Sequence, residues 1–299
     1  MQRQIAVAVV FMMATLLAGC GGRTTTEEVA EPVTGPGTVA SADGVEIAYT
    51  VHRIGAPNLV LVHGWMCDQS YWDAQVPVLA EAFGVVTVDL AGHGGSGVNR
   101  ASWTIASLGD DVAAVIEKTG LDQVIVAGHS MGGRVALDVA RKLPDTVVGI
   151  IAVDTFKDVS AEWDPEEVEQ FISALEEDFP NSCNGFVRSM FVEDTAAAIV
   201  DEVASDMCSG PGEIGAALIR AYVAFDLREG FAQAGVPIRA INGDKSPTNV
   251  EANRELADFE VTLLEGYGHF LMQEAPEELS QAMIDTTLAI VTDREQNDG

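Results

Sequence analysis

Six short apolar runs set the fold class of this chain before any single residue does. They are NLVLVH (58–63), VVTVDL (85–90), QVIVAG (123–128), VVGIIAVD (147–154), PIRAIN (237–242) and FEVTLLE (259–265). Each is nearly continuous in Val, Ile and Leu, as strands buried on both faces of a parallel sheet are. Amphipathic stretches separate them. Trp72, Val76, Leu79 and Phe83 share one helical face, and Leu279, Met283 and Ile290 fall close to another. This alternation predicts an α/β fold: a mostly parallel central sheet flanked by helices, joined by right-handed crossovers. Ahead of it, VASADGVEIAYTVHR (39–53) reads as a hairpin about Asp43-Gly44.

One interval carries no strand signal. In DPEEVEQFISALEED (164–178), Asp164 stands as N-cap, Pro165 takes the first helical position and Glu167 follows three residues after the cap. Val168, Phe171, Ile172 and Leu175 form one stripe of that helix. Further helices are expected around 193–208 and 213–224. A helical insertion between two strands of an α/β sheet is most simply a cap. The expected division is therefore a core of 39–155 and 234–299 with a helical cap of 156–233.

The amino terminus has a different character. MQRQIAVAVVFMMATLLAGC carries Arg3, an apolar run and small residues, the order of a secretory signal peptide over 1–19. Leu17-Ala18-Gly19-Cys20 resembles the lipobox of bacterial lipoproteins, which implies cleavage before Cys20 and acylation of that cysteine. Residues 20–38, polar and rich in Gly, Pro and Thr, read as a flexible tether. Gly21 in place of aspartate resembles the pattern that sorts such proteins to the outer membrane. The expectation is an exported chain held on a bacterial membrane by lipid, which Cys20→Ala would release in soluble form. With 16 basic and 46 acidic residues the chain is too negative to bind nucleic acid, or to dock on anionic headgroups by charge. Export permits disulfides; Cys183 and Cys208 lie in one region, and either pair or remain buried thiols. No Cys/His spacing suits zinc.

The run QVIVAG passes straight into GHSMGGRVALDVARKL. Gly128-His129-Ser130-Met131-Gly132 thus fits G-x-S-x-G between a strand and a helix. A serine on so tight a turn needs neighbours without side chains. The turn lifts its hydroxyl above the sheet, toward the free N–H groups of the helix N-terminus. Other motifs fall in order along the chain: His63-Gly64-Trp65, the loop from Asp89 through Gly92-His93-Gly94 to Ser96, and a tail with His269, Phe270, Glu274 and Pro276. Together they resemble the α/β-hydrolase fold enzymes from about Ser41 to Ile290. The resemblance implies Ser130 as nucleophile, His269 as base, and the backbone N–H groups of Trp65 and Met131 as oxyanion hole. His129 is expected to point elsewhere on the elbow, His63 and His93 to hold loops, and His52 to lie at the surface.

Two aspartates compete as the acid. Relatives often keep it after the strand that follows the cap, where Asp244 stands in INGDKSPTN; there, Gly-Asp is also ordinary turn chemistry. Others place it at the end of the preceding strand, where Asp154 closes an apolar run and would be costly to bury without partners. Asp154 is preferred and Asp244 kept as the alternative. The expected chemistry is hydrolysis of a small-molecule carboxylic ester through an acyl-enzyme, without metal or organic cofactor. The same scaffold also hosts carbon–carbon bond hydrolases, perhydrolases, acyltransferases and non-catalytic binding modules. Trp65, Met131, Phe186, Met190 and Phe191 are the expected pocket residues.

Overall fold

The computed structural model describes residues 34–298. The signal segment, Cys20 and the tether up to residue 33 lie outside the described residues. Eight strands form one sheet: β1 (Gly35–Ala40), β2 (Glu46–Arg53), β3 (Asn58–Val62), β4 (Gly84–Val88), β5 (Val124–His129), β6 (Val147–Val153), β7 (Ile238–Gly243) and β8 (Phe259–Leu264). Their spatial order is β1-β2-β4-β3-β5-β6-β7-β8. The β1–β2 and β2–β4 pairs are antiparallel, and every other pair is parallel.

The apolar runs become strands where expected, and β3 to β7 are buried throughout. The outermost strand differs. β8 pairs only with β7, so Phe259 is buried while Leu263 is half exposed. The tether also ends earlier than its composition suggests. Gly35 to Ala40 pair in register with β2, and Gly37 lies so close to the Tyr49 ring that a Cβ there would fall 2.7 Å from it. Gly and Pro disguise this strand, because an edge strand tolerates proline where an inner one would not.

The helices are α1 (Val76–Leu79), α2 (Ile105–Thr119), α3 (Met131–Lys142), α4 (Pro165–Glu177), α5 (Phe179–Ser189), α6 (Ala197–Met207), α7 (Gly212–Ala224), α8 (Leu227–Gln233), α9 (Val250–Arg254), α10 (Leu271–Glu274) and α11 (Pro276–Asp298). Trp72, Val76, Leu79 and Phe83 are all buried, yet not on one helix: Trp72 ends a 3-10 turn at Gln69–Trp72, Val76 and Leu79 lie on α1 with Pro77 near its start, and Phe83 lies in the turn beyond it. Leu279, Met283 and Ile290 are the buried face of α11, which packs on β6, β7 and β8.

Helices α4 to α8 all fall between β6 and β7. Asp164 caps α4 and Pro165 opens it as expected, with the Asp164 side chain accepting from the Glu166 N–H. Sequence periodicity gave no sign of α5, whose Asn181, Ser182, Asn184 and Gly185 are weak helix formers. Cys183 of α5 and Cys208, the C-cap of α6, form a disulfide that closes a loop with a separation of 25 residues. Restricting the unfolded chain over such a loop is worth about 3 kcal/mol. The Cys183→Ser/Cys208→Ser double variant should therefore melt roughly 5–10 °C below the wild type, as measured by circular dichroism.

Because β3, β5, β6, β7 and β8 run parallel, their carboxyl ends share one edge of the sheet. His63-Gly64-Trp65, Ser130, Asp154 and the segment leading to His269 follow those ends, and Gly243 is the last residue of β7. This edge is where α/β sheets gather ligands.

Candidate active site

Ser130 sits between β5 and α3 with φ 52° and ψ −113°, backbone angles that cost an ordinary residue about 1–3 kcal/mol. Its two glycines are fixed by space. A Cβ on Gly128 would collide with the Gly132 carbonyl, and one on Gly132 would lie 2.6 Å from the Val62 carbonyl oxygen. Met131 is the first residue of α3, where backbone N–H groups have no partner within the helix. Trp65 is buried, and its indole N–H donates to the Gly215 carbonyl of α7 at 2.8 Å.

The structure brings Asp154, not Asp244, to His269. His269 Nδ1–H donates to Asp154 Oδ2 at 2.6 Å. The other carboxylate oxygen, Oδ1, accepts from the Gly243 N–H at 2.8 Å and from Lys157 Nζ at 2.7 Å. Lys157 Nζ also donates to the Gly243 carbonyl at 2.7 Å. Burial pushes the Asp154 carboxyl up. The hydrogen bond and charge of His269, with the Lys157 ammonium, outweigh it and hold the group below its ordinary range. Asp154 too has a left-handed backbone, with φ 41°. Asp244 is exposed and accepts from the Gly266 N–H at 2.8 Å, bracing the turn that precedes His269.

His269 is held by its own loop. Glu274 accepts from the N–H groups on either side of it: Phe270 N–H on Oε1 and Gly268 N–H on Oε2, each at 3.0 Å. Thr195, from the segment between α5 and α6, donates to the same Oε2 at 2.8 Å. The His269 N–H donates to the Met190 carbonyl at 3.2 Å. The tail motif contained Glu274, but the sequence did not say what its carboxylate holds.

The remaining histidines are structural. His63 Nε2 accepts from the Leu90 N–H at 3.0 Å and His93 Nε2 from the Met66 N–H at 3.2 Å; burial lowers their pKa values to about 4 and about 3. His52 is half-buried rather than on the open surface, 3.0 Å from the Thr87 hydroxyl. His129 does not point away from the site. Its ring centroid lies 4.7 Å from that of His269, and its Nε2–H donates to the His269 carbonyl at 3.0 Å. Burial, then repulsion from His269, lowers its pKa to about 3, so it stays neutral.

Ser130 and His269 line one cavity of about 250 Å³. Its walls include Trp65, Met131, Phe186 and Met190, as the sequence suggested. Phe191 is not among them; it is buried and stacks on Phe270 at 4.8 Å, and Phe270 is the ring that reaches the cavity. Cys67, His129, Trp163, Met207, Ile219 and Tyr222 complete the wall. Ile219 and Tyr222 share a face of α7, but periodicity cannot tell a cavity wall from a packed one. Among the described residues no group of three or more His, Cys, Asp or Glu side chains is placed to hold a metal ion.

Residues 59–282 match the Alpha/beta hydrolase family. The chain belongs to the α/β-hydrolase family. Among α/β-hydrolase relatives, it is 32% identical over 148 residues to a pimeloyl-[acyl-carrier protein] methyl ester esterase of Sodalis glossinidius, a match covering 48% of this chain and 56% of that one. It is 38% identical over 120 residues to the bifunctional esterase/perhydrolase DCH of Acinetobacter calcoaceticus, covering 39% of this chain and 44% of the other. These matches span about half the length of each curated relative. A thermophilic esterase from Thermogutta terrifontis superposes with a TM-score of 0.75 at 24% identity, over 85% of this chain and 98% of that one; the likeness is one of fold.

Proposed function

We propose that this α/β-hydrolase cleaves carboxylic esters with an apolar acyl group, through an acyl-enzyme on Ser130. The observation that carries the reading is the 2.6 Å hydrogen bond from His269 Nδ1–H to Asp154, with His269 and the strained Ser130 on the wall of one cavity. That bond leaves Nε2 of the neutral imidazole as the acceptor. His269 takes the Ser130 proton as Oγ attacks the carbonyl carbon. The N–H groups of Met131 and Trp65 receive the oxyanion. His269 then gives the proton to the leaving oxygen, and the alcohol departs. Water enters, His269 accepts its proton, and the second tetrahedral intermediate collapses to the carboxylic acid and free Ser130. Asp154 holds the imidazole's orientation and balances its charge.

The wall names the acyl class. It carries no Lys, Arg, Asp or Glu, and its aromatic and Met side chains suit hydrocarbon. A cavity of about 250 Å³ is small, so short and medium chains fit and long ones do not. Two of the relatives, the methyl ester esterase and the bifunctional esterase/perhydrolase, carry names that agree with this reading. Two measurements test it. A fluorophosphonate should label Ser130 in folded protein, and p-nitrophenyl esters of graded acyl length should give a maximum in kcat/KM that falls for long chains. Without labelling, the chain is a binding module on the same scaffold.

Glu274 acts through His269. Glu274→Ala leaves the Gly268 and Phe270 N–H groups without their carboxylate. It is expected to lower kcat about 10²-fold, because small displacements of a reacting group are costly. KM should change little. Glu274→Gln, which keeps one acceptor, should fall between the two.

A further inference from the structure

A second cavity of about 190 Å³ adjoins the first at His269 and Met190, which line both. Its other walls are Asp154, Lys157, Ser189, Lys245, Ser246 and Gly268. The chain has four lysines in all, Lys118, Lys142, Lys157 and Lys245, against 46 acidic residues. Two of the four meet here, beside the candidate base. The one acid in the wall is already compensated, since its two oxygens receive His269, Gly243 and Lys157. Lys157 has given two of its three donors, to Asp154 and to the Gly243 carbonyl, and keeps a third. Lys245 is exposed, and among the described residues it faces no carboxylate within ion-pair distance. The wall's two ammonium groups outnumber its one carboxylate, in a protein whose overall charge is −30.

We infer that this second cavity is an anion subsite for the leaving group, so that the preferred substrates are apolar acyl esters of alcohols bearing a carboxylate or phosphate. The inference rests on the esterase reading and extends it. In the tetrahedral intermediate the leaving oxygen must face the imidazolium that protonates it, so the leaving group lies on the His269 side of Ser130. The acyl group takes the uncharged cavity, and the departing alcohol extends past His269 and Met190, which border both cavities, so that its far end reaches the lysine-lined one. Lys245 and the free donor of Lys157 meet its anionic end, with the Ser189 and Ser246 hydroxyls beside them. Lys157 is bound to Asp154 and cannot be changed without disturbing the site, so Lys245 is the residue to test.

The probes are 4-(butyryloxy)benzoate, whose leaving group carries a carboxylate, and its neutral counterpart 4-(butyryloxy)-N-methylbenzamide. The quantity read is the ratio of their kcat/KM values, charged over neutral. Lys245→Gln should lower that ratio about two- to fivefold, the range for one exposed charge pair. Lys245→Arg should keep it, and 1 M salt should lower it in the wild type, where screening reaches about 3 Å. A ratio unmoved by Lys245→Gln and by salt overturns the subsite while the esterase reading stands, because the neutral ester is still turned over. Failure to hydrolyse either ester, with Ser130 unlabelled by fluorophosphonate, overturns both.

Discussion

Ser130→Ala should lower kcat on p-nitrophenyl butyrate by about 10⁶-fold, the scale seen when the nucleophile of a serine–histidine pair is removed. The expectation comes from the backbone as much as from the hydroxyl. A residue at φ 52° between a buried strand and a helix has no packing reason to be serine, and glycine would be easier there. The chain keeps a β-carbon in a strained turn and clears space around it with Gly128 and Gly132. Alanine retains the β-carbon and the strain, so the variant should fold and melt as the wild type does. Its apolar cavity should still bind ester, leaving KM within a few-fold. Residual turnover about 10³–10⁴-fold above water would come from the oxyanion donors and the cavity alone. Kinetics with purified protein and a melting curve check both halves. A variant that kept a substantial fraction of wild-type turnover would move the covalent step off Ser130.

The sequence made some parts of this molecule legible and hid others, for physical reasons. Strands buried on both faces must be apolar throughout, so β3 to β7 showed as unbroken Val/Ile/Leu runs. The elbow showed because backbone crowding demands Gly128 and Gly132 at fixed offsets from Ser130. The edges were harder. β1 reads as tether because an outer strand needs little burial, and β8 looked like an inner strand although Leu263 faces outward. In the cap, α5 carries Asn, Ser and Gly that local propensity assigns to loops, and packing together with the Cys183–Cys208 link overrides it. The site's supporting contacts were invisible for another reason. Lys157 follows Asp154 by three residues, but only the bend of the chain at Asp154 and Phe156, both with positive φ, turns its ammonium back onto the carboxylate. Phe191 follows Met190 directly, and one position along the chain separates a side chain that reaches the cavity from one that supports Phe270.

The choice between the two aspartates yields the second large effect. Asp154→Asn should cost about 10⁴-fold in kcat, and Asp244→Asn less than about twofold. The asymmetry follows from which donors each carboxylate meets. Asp154 Oδ1 faces the Gly243 N–H and the Lys157 ammonium, both of which demand an acceptor. An asparagine at 154 would turn its carbonyl oxygen toward them and present its NH₂ to His269. The imidazole would answer with a bare Nδ1 and place its proton on Nε2, the tautomer that cannot accept from Ser130. Lys157 would at the same time lose its counter-charge, so the imidazolium formed in the transition state would face an uncompensated ammonium. Asp244 has one task, accepting from the exposed Gly266 N–H, and an asparagine oxygen performs it equally well. The decisive measurement is kcat for both variants on one ester at the wild-type pH optimum, with circular dichroism to show that each is folded. Full turnover in Asp154→Asn, together with a loss of several orders in Asp244→Asn, would transfer the acid's role to the loop after β7. Such a result would require that loop to swing more than the Gly266 hydrogen bond now allows.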